Sequence, residues 1–240
     1  RVLWIVGDSY AAGWGIKTVQ DRFSNRLAER LGPSWVVFTI AKPGWDTRRQ
    51  FEAASKFPHR PDAIVNTYCL NDADRAASEN GLVQPQVRPG PTAPWLSAVV
   101  EHSHLANLAW WRWQSLNQHR TSNDYWEYIR KCYQTPPVWD AHCADLSRLF
   151  ELYQTQTSAI VAVVIPNLLD AESSRPMSSK VTAYLESLGA AAVDLTASVS
   201  QRDPRELVVN RFDPHANEVV HALIADLVFE RLGERIDALT

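Results

Sequence analysis

The chain has 240 residues, 45% of them hydrophobic and 21% charged, with a formal net charge of −3. That length and apolar content suffice for one substantial core, and one domain over 1–240 is the expected organisation. The near-neutral charge, without a strongly basic run, excludes the clustered Lys and Arg of a nucleic-acid binder, so a small molecule or neutral polymer is the expected partner.

No apolar stretch reaches the length of a bilayer span. Residue 1 is an arginine at the edge of an apolar run rather than an initiator Met. An upstream segment is therefore expected to have been removed, and membrane association is expected only through such an anchor. An extracytoplasmic setting, periplasmic or membrane-anchored, is favoured over a cytoplasmic one. Of the three cysteines, Cys132 and Cys143 are near enough in sequence to bridge, while Cys69 reads as a small core residue. Three reduced, structural thiols are the favoured reading.

In chain order, Val2-Leu3-Trp4-Ile5-Val6 reads as a buried strand that breaks into Gly7-Asp8-Ser9. A serine there is expected to be presented rather than buried, because α/β sheets gather ligand chemistry at the carboxyl ends of their strands. Over 21–32, Phe23, Leu27 and Leu31 recur at every fourth position, with Asp21 as N-cap and Gly32 as stop. A strand over 35–40 ends at Lys42-Pro43-Gly44, a helix covers 47–57, and a strand over 63–68 runs into Cys69-Leu70-Asn71-Asp72. Strand alternating with helix predicts a parallel sheet.

The alternation lapses over 73–138, which reads as an insertion. It carries Pro85, Pro89, Pro91 and Pro94 and a Trp-dense helical segment over 105–116, and it is too aromatic to be disordered. The rhythm resumes with a helix over 140–154, strands over 159–165 and 191–195, a helix over 179–188, and a last helix from about 217 capped by Asn217.

Acyl chemistry by a serine needs a hydroxyl, a base, a group that orients the base, and donors for the oxyanion. Ser9 follows the first strand, Gly44 the second and Asn71 the third, and Asp213-Pro214-His215 precedes the last helix. Taken singly, Gly44 is an ordinary turn residue, Asn71 a turn cap and Asp213-Pro214-His215 a polar lead into a helix. Together they fall where a sheet of this type binds ligand. His102 and His104 have no partners that would complete a metal site, and Asp140, His142 and Cys143 fail likewise, so neither metal nor cofactor is expected.

Gly7-Asp8-Ser9, Pro43-Gly44, Asn71-Asp72 and the closing Asp213-x-His215-x-Asn217, in that order over nearly the whole chain, resemble the four sequence blocks of the SGNH hydrolases, the GDSL-type esterases and lipases. The resemblance implies a three-layer α/β/α sandwich of flavodoxin-like topology. It also implies Ser9 as nucleophile, His215 as base, Asp213 as its orienter, and an oxyanion hole made by Ser9, Gly44 and Asn71. One departure concerns the last block, where Pro214 alone separates Asp213 from His215 and most members have two residues. Pro214 favours an extended Asp213, and residues two apart in extended chain point to the same side, so the pair can still meet.

The expected activity is therefore hydrolysis of acyl or acetyl esters, with acylated saccharides as a substrate class. Two alternatives stand beside it. One is an O-acyltransferase using the same nucleophile, since members of the superfamily act in building bacterial surface polymers. The other is a non-catalytic glycan-binding module. The chain has ten tryptophans, and a cluster of them from Trp95 to Trp139 makes the insertion the expected determinant of substrate, with Trp45, Trp110 and Trp111 as candidate substrate contacts. Trp110, Trp111 and Trp113 cannot share one helix face, so some are expected at an interface.

Overall fold

The computed structural model describes residues 1–85, 91, 93–116, 118–210 and 213–237, without the side chains of 115–122 and 237. Its elements in order are β1 (Val2–Gly7), α1 (Ser9–Ala12), α2 (Phe23–Leu31), β2 (Val36–Ala41), α3 (Thr47–Ala54), β3 (Ala63–Cys69), α4 (Asp74–Glu79), α5 (Pro94–His102), α6 (His104–Leu116), α7 (Gln118–Gln134) and α8 (Pro136–Gln156). There follow β4 (Ile160–Ile165), α9 (Ala171–Ser187), β5 (Ala191–Asp194), α10 (Thr196–Val199), β6 (Val208–Asn210), β7 (Asp213–Ala216) and α11 (Glu218–Asp237).

β2-β1-β3-β4-β5 form one sheet in that order, with parallel pairing throughout. Side chains alternate across it. Leu3 and Ile5 of β1, with Val161 and Val163 of β4, pack against Phe23 and Leu27 of α2 and Val220, Ile224 and Val228 of α11. Trp4, Val6 and Tyr68 face the other way, onto Ile129 and Tyr133 of α7, Leu149 and Phe150 of α8, and Val181 of α9. The result is a three-layer α/β/α sandwich. Every crossover is right-handed in such folds, so the chain places α2 on one face as it steps from β1 to β2 and α3 on the opposite face as it returns to β3. The loops after β1 and β3 diverge at this reversal and leave a crevice at the carboxyl edge of the sheet.

Several expected boundaries move. Asp21 does not cap α2; Arg22 holds that position, and Asp21 pairs with Arg26 at 2.6 Å. α3 stops at Ala54, short of residue 57. α8 starts at Pro136, where a proline at the first helical position forfeits no hydrogen bond. α9 starts eight residues before the expected 179, capped by Asp170 and running through Pro176. Pro176 is exposed, and the carbonyl it fails to serve lies on the solvent side.

Within 73–138 the parts differ. α7 is built into the core through Tyr128, Ile129, Cys132 and Tyr133. α5 and α6 turn Trp95, Leu105, Leu108, Trp111 and Trp113 outward. Pro89 lies outside the described residues. All three cysteines are free thiols. No helix among the described residues is long and apolar enough to cross a membrane.

Candidate functional site

The turn after β1 closes only around a glycine. A Cβ on Gly7 would stand 1.9 Å from Thr67 Oγ1 and 2.9 Å from Ala11 Cβ, closer than any side chain tolerates. Asp8 then caps α1, its carboxylate accepting the Tyr10 N–H at 3.0 Å, and Ser9 becomes the first residue of that helix. A first-turn N–H has no acceptor within its own helix, and the Ser9 amide turns to the Asp8 carboxylate instead. Ser9 Oγ lies 3.1 Å from His215 Nε2 and 3.2 Å from Asp8 Oδ2. Its side chain is not presented as expected: the residue is 6% exposed. His215 and Asp8 close over it, and the rings of Tyr10 and Trp14 stand 5.4 and 6.3 Å from the imidazole.

His215 arrives on an antiparallel pair, β6 with β7, that the sequence did not announce. In the extended β7 the side chains of Asp213 and His215 project to one side, and Nδ1 meets Asp213 Oδ1 at 2.5 Å. That contact assigns the Nδ1 proton and leaves Nε2 as the acceptor facing Ser9. The same Asp213 oxygen accepts the His215 N–H at 3.1 Å. Asn217 fixes the segment from behind. Its Oδ1 caps α11 at Val219 and its Nδ2 donates to the carbonyl of Glu206.

β1 lies between β2 and β3, with neighbouring strands about 4.8 Å apart, so the turn bearing Gly44 and the loop bearing Asn71 flank Ser9 on either side. Gly44 has φ +78° and open space where a side chain would stand. The Gly44 N–H and the Asn71 side-chain amide have no partner among the described residues.

One half-buried ion pair and a set of buried hydrogen bonds stitch these two loops together. Arg75, just past Asn71, pairs with Asp46, just past Gly44, at 3.0 Å. Gln50 of α3 donates to Asp72 at 3.1 Å and accepts from Asn66, while the Cys69 N–H donates to the other Asp72 oxygen. Burial pushes the Asp72 carboxyl well up, and the charge of Asp8 adds to it. Burial likewise raises Asp8, against the bonds from Tyr10 and Ser9.

A second chain of contacts reaches the Asn71 loop from α8 by way of β3 and α7. His142 Nε2 lies 2.7 Å from Tyr68 Oη, which lies 2.6 Å from Tyr133 Oη, which donates to the Leu70 carbonyl at 2.7 Å. Three contacts need three protons. Two phenols supply two, so His142 supplies the third as a neutral ring with its proton on Nε2. Burial agrees, lowering the His142 pKa to about 3.

Trp45 follows Gly44 directly and is half-buried against the core. Trp110 and Trp111 lie on α6, and no ring contact or hydrogen bond among the described residues joins them to Ser9 or His215. Trp14, 52% exposed beside His215, is the site aromatic that the sequence reading passed over. Nothing in its local sequence marks a role. Among the described residues no group of His, Cys, Asp and Glu could hold a metal.

A buried serine, with an imidazole and a carboxylate in series behind it, stands at the switch point of a 2-1-3-4-5 sheet, and that fold is shared with a known group of solved structures. TesA is 12% identical to this chain with a TM-score of 0.59, over 98% of this chain and 99% of that one. Axe2, an acetylxylan esterase from Geobacillus stearothermophilus crystallised as a catalytic serine-to-alanine mutant, is 12% identical at a TM-score of 0.58, over 97% and 94%. A lipase/acylhydrolase from Enterococcus faecalis is 14% identical at 0.56, over 98% and 96%. The chain therefore has the fold of the G-D-S-L esterases and lipases. No protein-family model and no curated protein sequence matches it.

Proposed function

We propose that the protein is a serine ester hydrolase of the SGNH type, with Ser9 as nucleophile, His215 as general base and Asp213 as its orienter. The observation that carries this reading is the series Ser9 Oγ, His215 Nε2, His215 Nδ1 and Asp213 Oδ1, with steps of 3.1 and 2.5 Å, at a crevice flanked by unengaged donors. Ser9 Oγ attacks an ester carbonyl as its proton passes to Nε2. The negative charge that gathers on the carbonyl oxygen is met by the N–H groups of Ser9 and Gly44 and by the Asn71 amide. His215 then protonates the departing alcohol and activates a water that releases the acid. Small acyl esters, acylated saccharides among them, are the proposed substrates. The esterases and lipases of like fold support ester chemistry, and the acetylxylan esterase among them supports a saccharide alcohol.

The test is release of p-nitrophenol from acetate, butyrate and octanoate esters, with a fluorophosphonate probe read by intact mass. Wild type is expected to turn over and to gain one adduct. Ser9→Ala should lose the adduct and, like His215→Ala, lose at least about 10³-fold in kcat. A wild type that neither turns over nor labels would sink the hydrolase assignment and leave a glycan-binding module. Labelling without hydrolysis would point to transfer onto an acceptor other than water.

A further inference from the structure

A groove of about 630 Å³ opens between α7 and the loop joining β4 to α9, apart from the Ser9 crevice. Its walls include Trp126, Asp124 and Arg130 from α7, and Asn167 and Asp170 from the loop. We propose that this groove receives the alcohol portion of the substrate, and that this portion is a neutral, hydroxyl-rich saccharide. The inference rests on the ester-hydrolase reading for its link to turnover.

Position comes first. β3 lies parallel between β1 and β4, so the loop carrying Asn167 leaves the same edge of the sheet as the loops bearing Ser9 and Asn71. That loop therefore starts two strands from the end of β1, roughly 10 Å along the sheet edge. α7 spans the interval, since its Tyr133 holds the Leu70 carbonyl and its earlier turns carry Trp126. An ester carbonyl at Ser9 leaves its alcohol free to extend past Asn71 into the groove.

Chemistry narrows the occupant. Asn167 is 5% exposed, and its Oδ1 is spent on the Leu169 N–H at 3.0 Å. Its Nδ2 has no partner among the described residues, although the residue lines the groove. That amide opens onto the groove rather than being sealed in the core, so it is available to donate to a ligand there. Trp126 is half-buried against the core and offers a firm aromatic surface of the kind that stacks on the C–H face of a sugar ring. Arg130 is paired with Glu127 and Asp170 caps α9 through the Ser173 N–H, which leaves Asp124 without an ion-pair partner among the described residues and the groove lining net negative. Carboxylates accept from hydroxyls and repel anions, which disfavours phosphate, uronate and fatty-acid carboxylate. The density of polar groups disfavours a bare acyl chain.

Binding is tested by calorimetric titration of the Ser9→Ala protein with xylotetraose, cellotetraose and tetragalacturonic acid. At least one neutral tetrasaccharide should bind, the galacturonate at least ten-fold more weakly. Trp126→Ala and Asp124→Lys, each checked for an unchanged thermal midpoint, should each weaken the neutral sugar at least five-fold. No binding by either neutral sugar, equal binding of the acidic one, or binding that survives both substitutions would overturn the proposal. p-Nitrophenyl acetate is too small to reach the groove, so its turnover by wild type reads the hydrolase assignment alone. Turnover without sugar binding removes the groove and keeps the enzyme; sugar binding without turnover does the reverse.

Discussion

The loops around Ser9 and the helices α5 and α6 make opposite use of their side chains. At the strand ends almost every polar group near Ser9 is held by another: Asp8 by Tyr10, Asp213 by His215, Asp72 by Gln50 and Cys69, Arg75 by Asp46. On α5 and α6 the large side chains meet water, with Trp95 at 70% and Leu105 at 76% exposure. The groups left unengaged at the strand ends, the Gly44 N–H and the Asn71 amide, are the ones that the chemistry would use. Rigidity there comes from the surrounding bonds, and it leaves the working donors idle until substrate arrives. α7 sits between the two regimes, with one face in the core and its tyrosine hydroxyl on the Leu70 carbonyl.

The comparison predicts a descending series of effects. Asn71→Ala removes an unengaged donor, so it should lower kcat by about 10²–10³-fold with KM and the thermal midpoint little changed. Equal losses in rate and stability would mean that the amide is structural. Tyr133→Phe removes the proton that satisfies Leu70 and is expected to cost about 1–3 kcal/mol in urea unfolding. A neutral result would show that the link from α7 to the Asn71 loop carries no strain.

His142 gives a pH signature. Its folded pKa of about 3 lies below the ordinary 6.5, so its contribution to stability is present above pH 6.5 and is lost as pH falls from there towards 3. Between pH 7 and pH 5 the share of the loss due to His142 should be about 2 kcal/mol; His142→Gln should remove that share and leave the one due to His221, whose pKa burial lowers to about 4. The smallest effects belong to the exposed face. Trp95→Ser and Leu105→Ser should shift unfolding by no more than about 0.5 kcal/mol. A larger cost would show that α5 and α6 are packed against something in solution.

Much of the fold was legible locally. Uninterrupted runs such as Ile64-Val65 and Val161 to Val164 can satisfy their burial only as central parallel strands, and the order of strand and helix then leaves few topologies. Asp213 and His215 were legible as a pair through the two-residue period of extended chain. Other features were not. Pro176 hid the first half of α9, because sequence alone could not show that its side faces solvent. Asp72 read as the neighbour of Asn71, and only its contacts with Gln50 and Cys69 reveal a brace for that loop. Trp14 carried no local signal of a role, yet it stands beside His215.

By itself, then, the sequence determined the five strands of the main sheet, their parallel sense and the turns after the first three that carry Ser9, Gly44 and Asn71, because burial and backbone period are properties of short segments. Only the tertiary structure decided that Ser9 would lie covered beneath His215, that α7 would join the core while α5 and α6 face outward, and that a groove would open beside Asn167. Those outcomes depend on which surfaces meet across the sheet, and residues far apart in the chain contribute to each of them jointly.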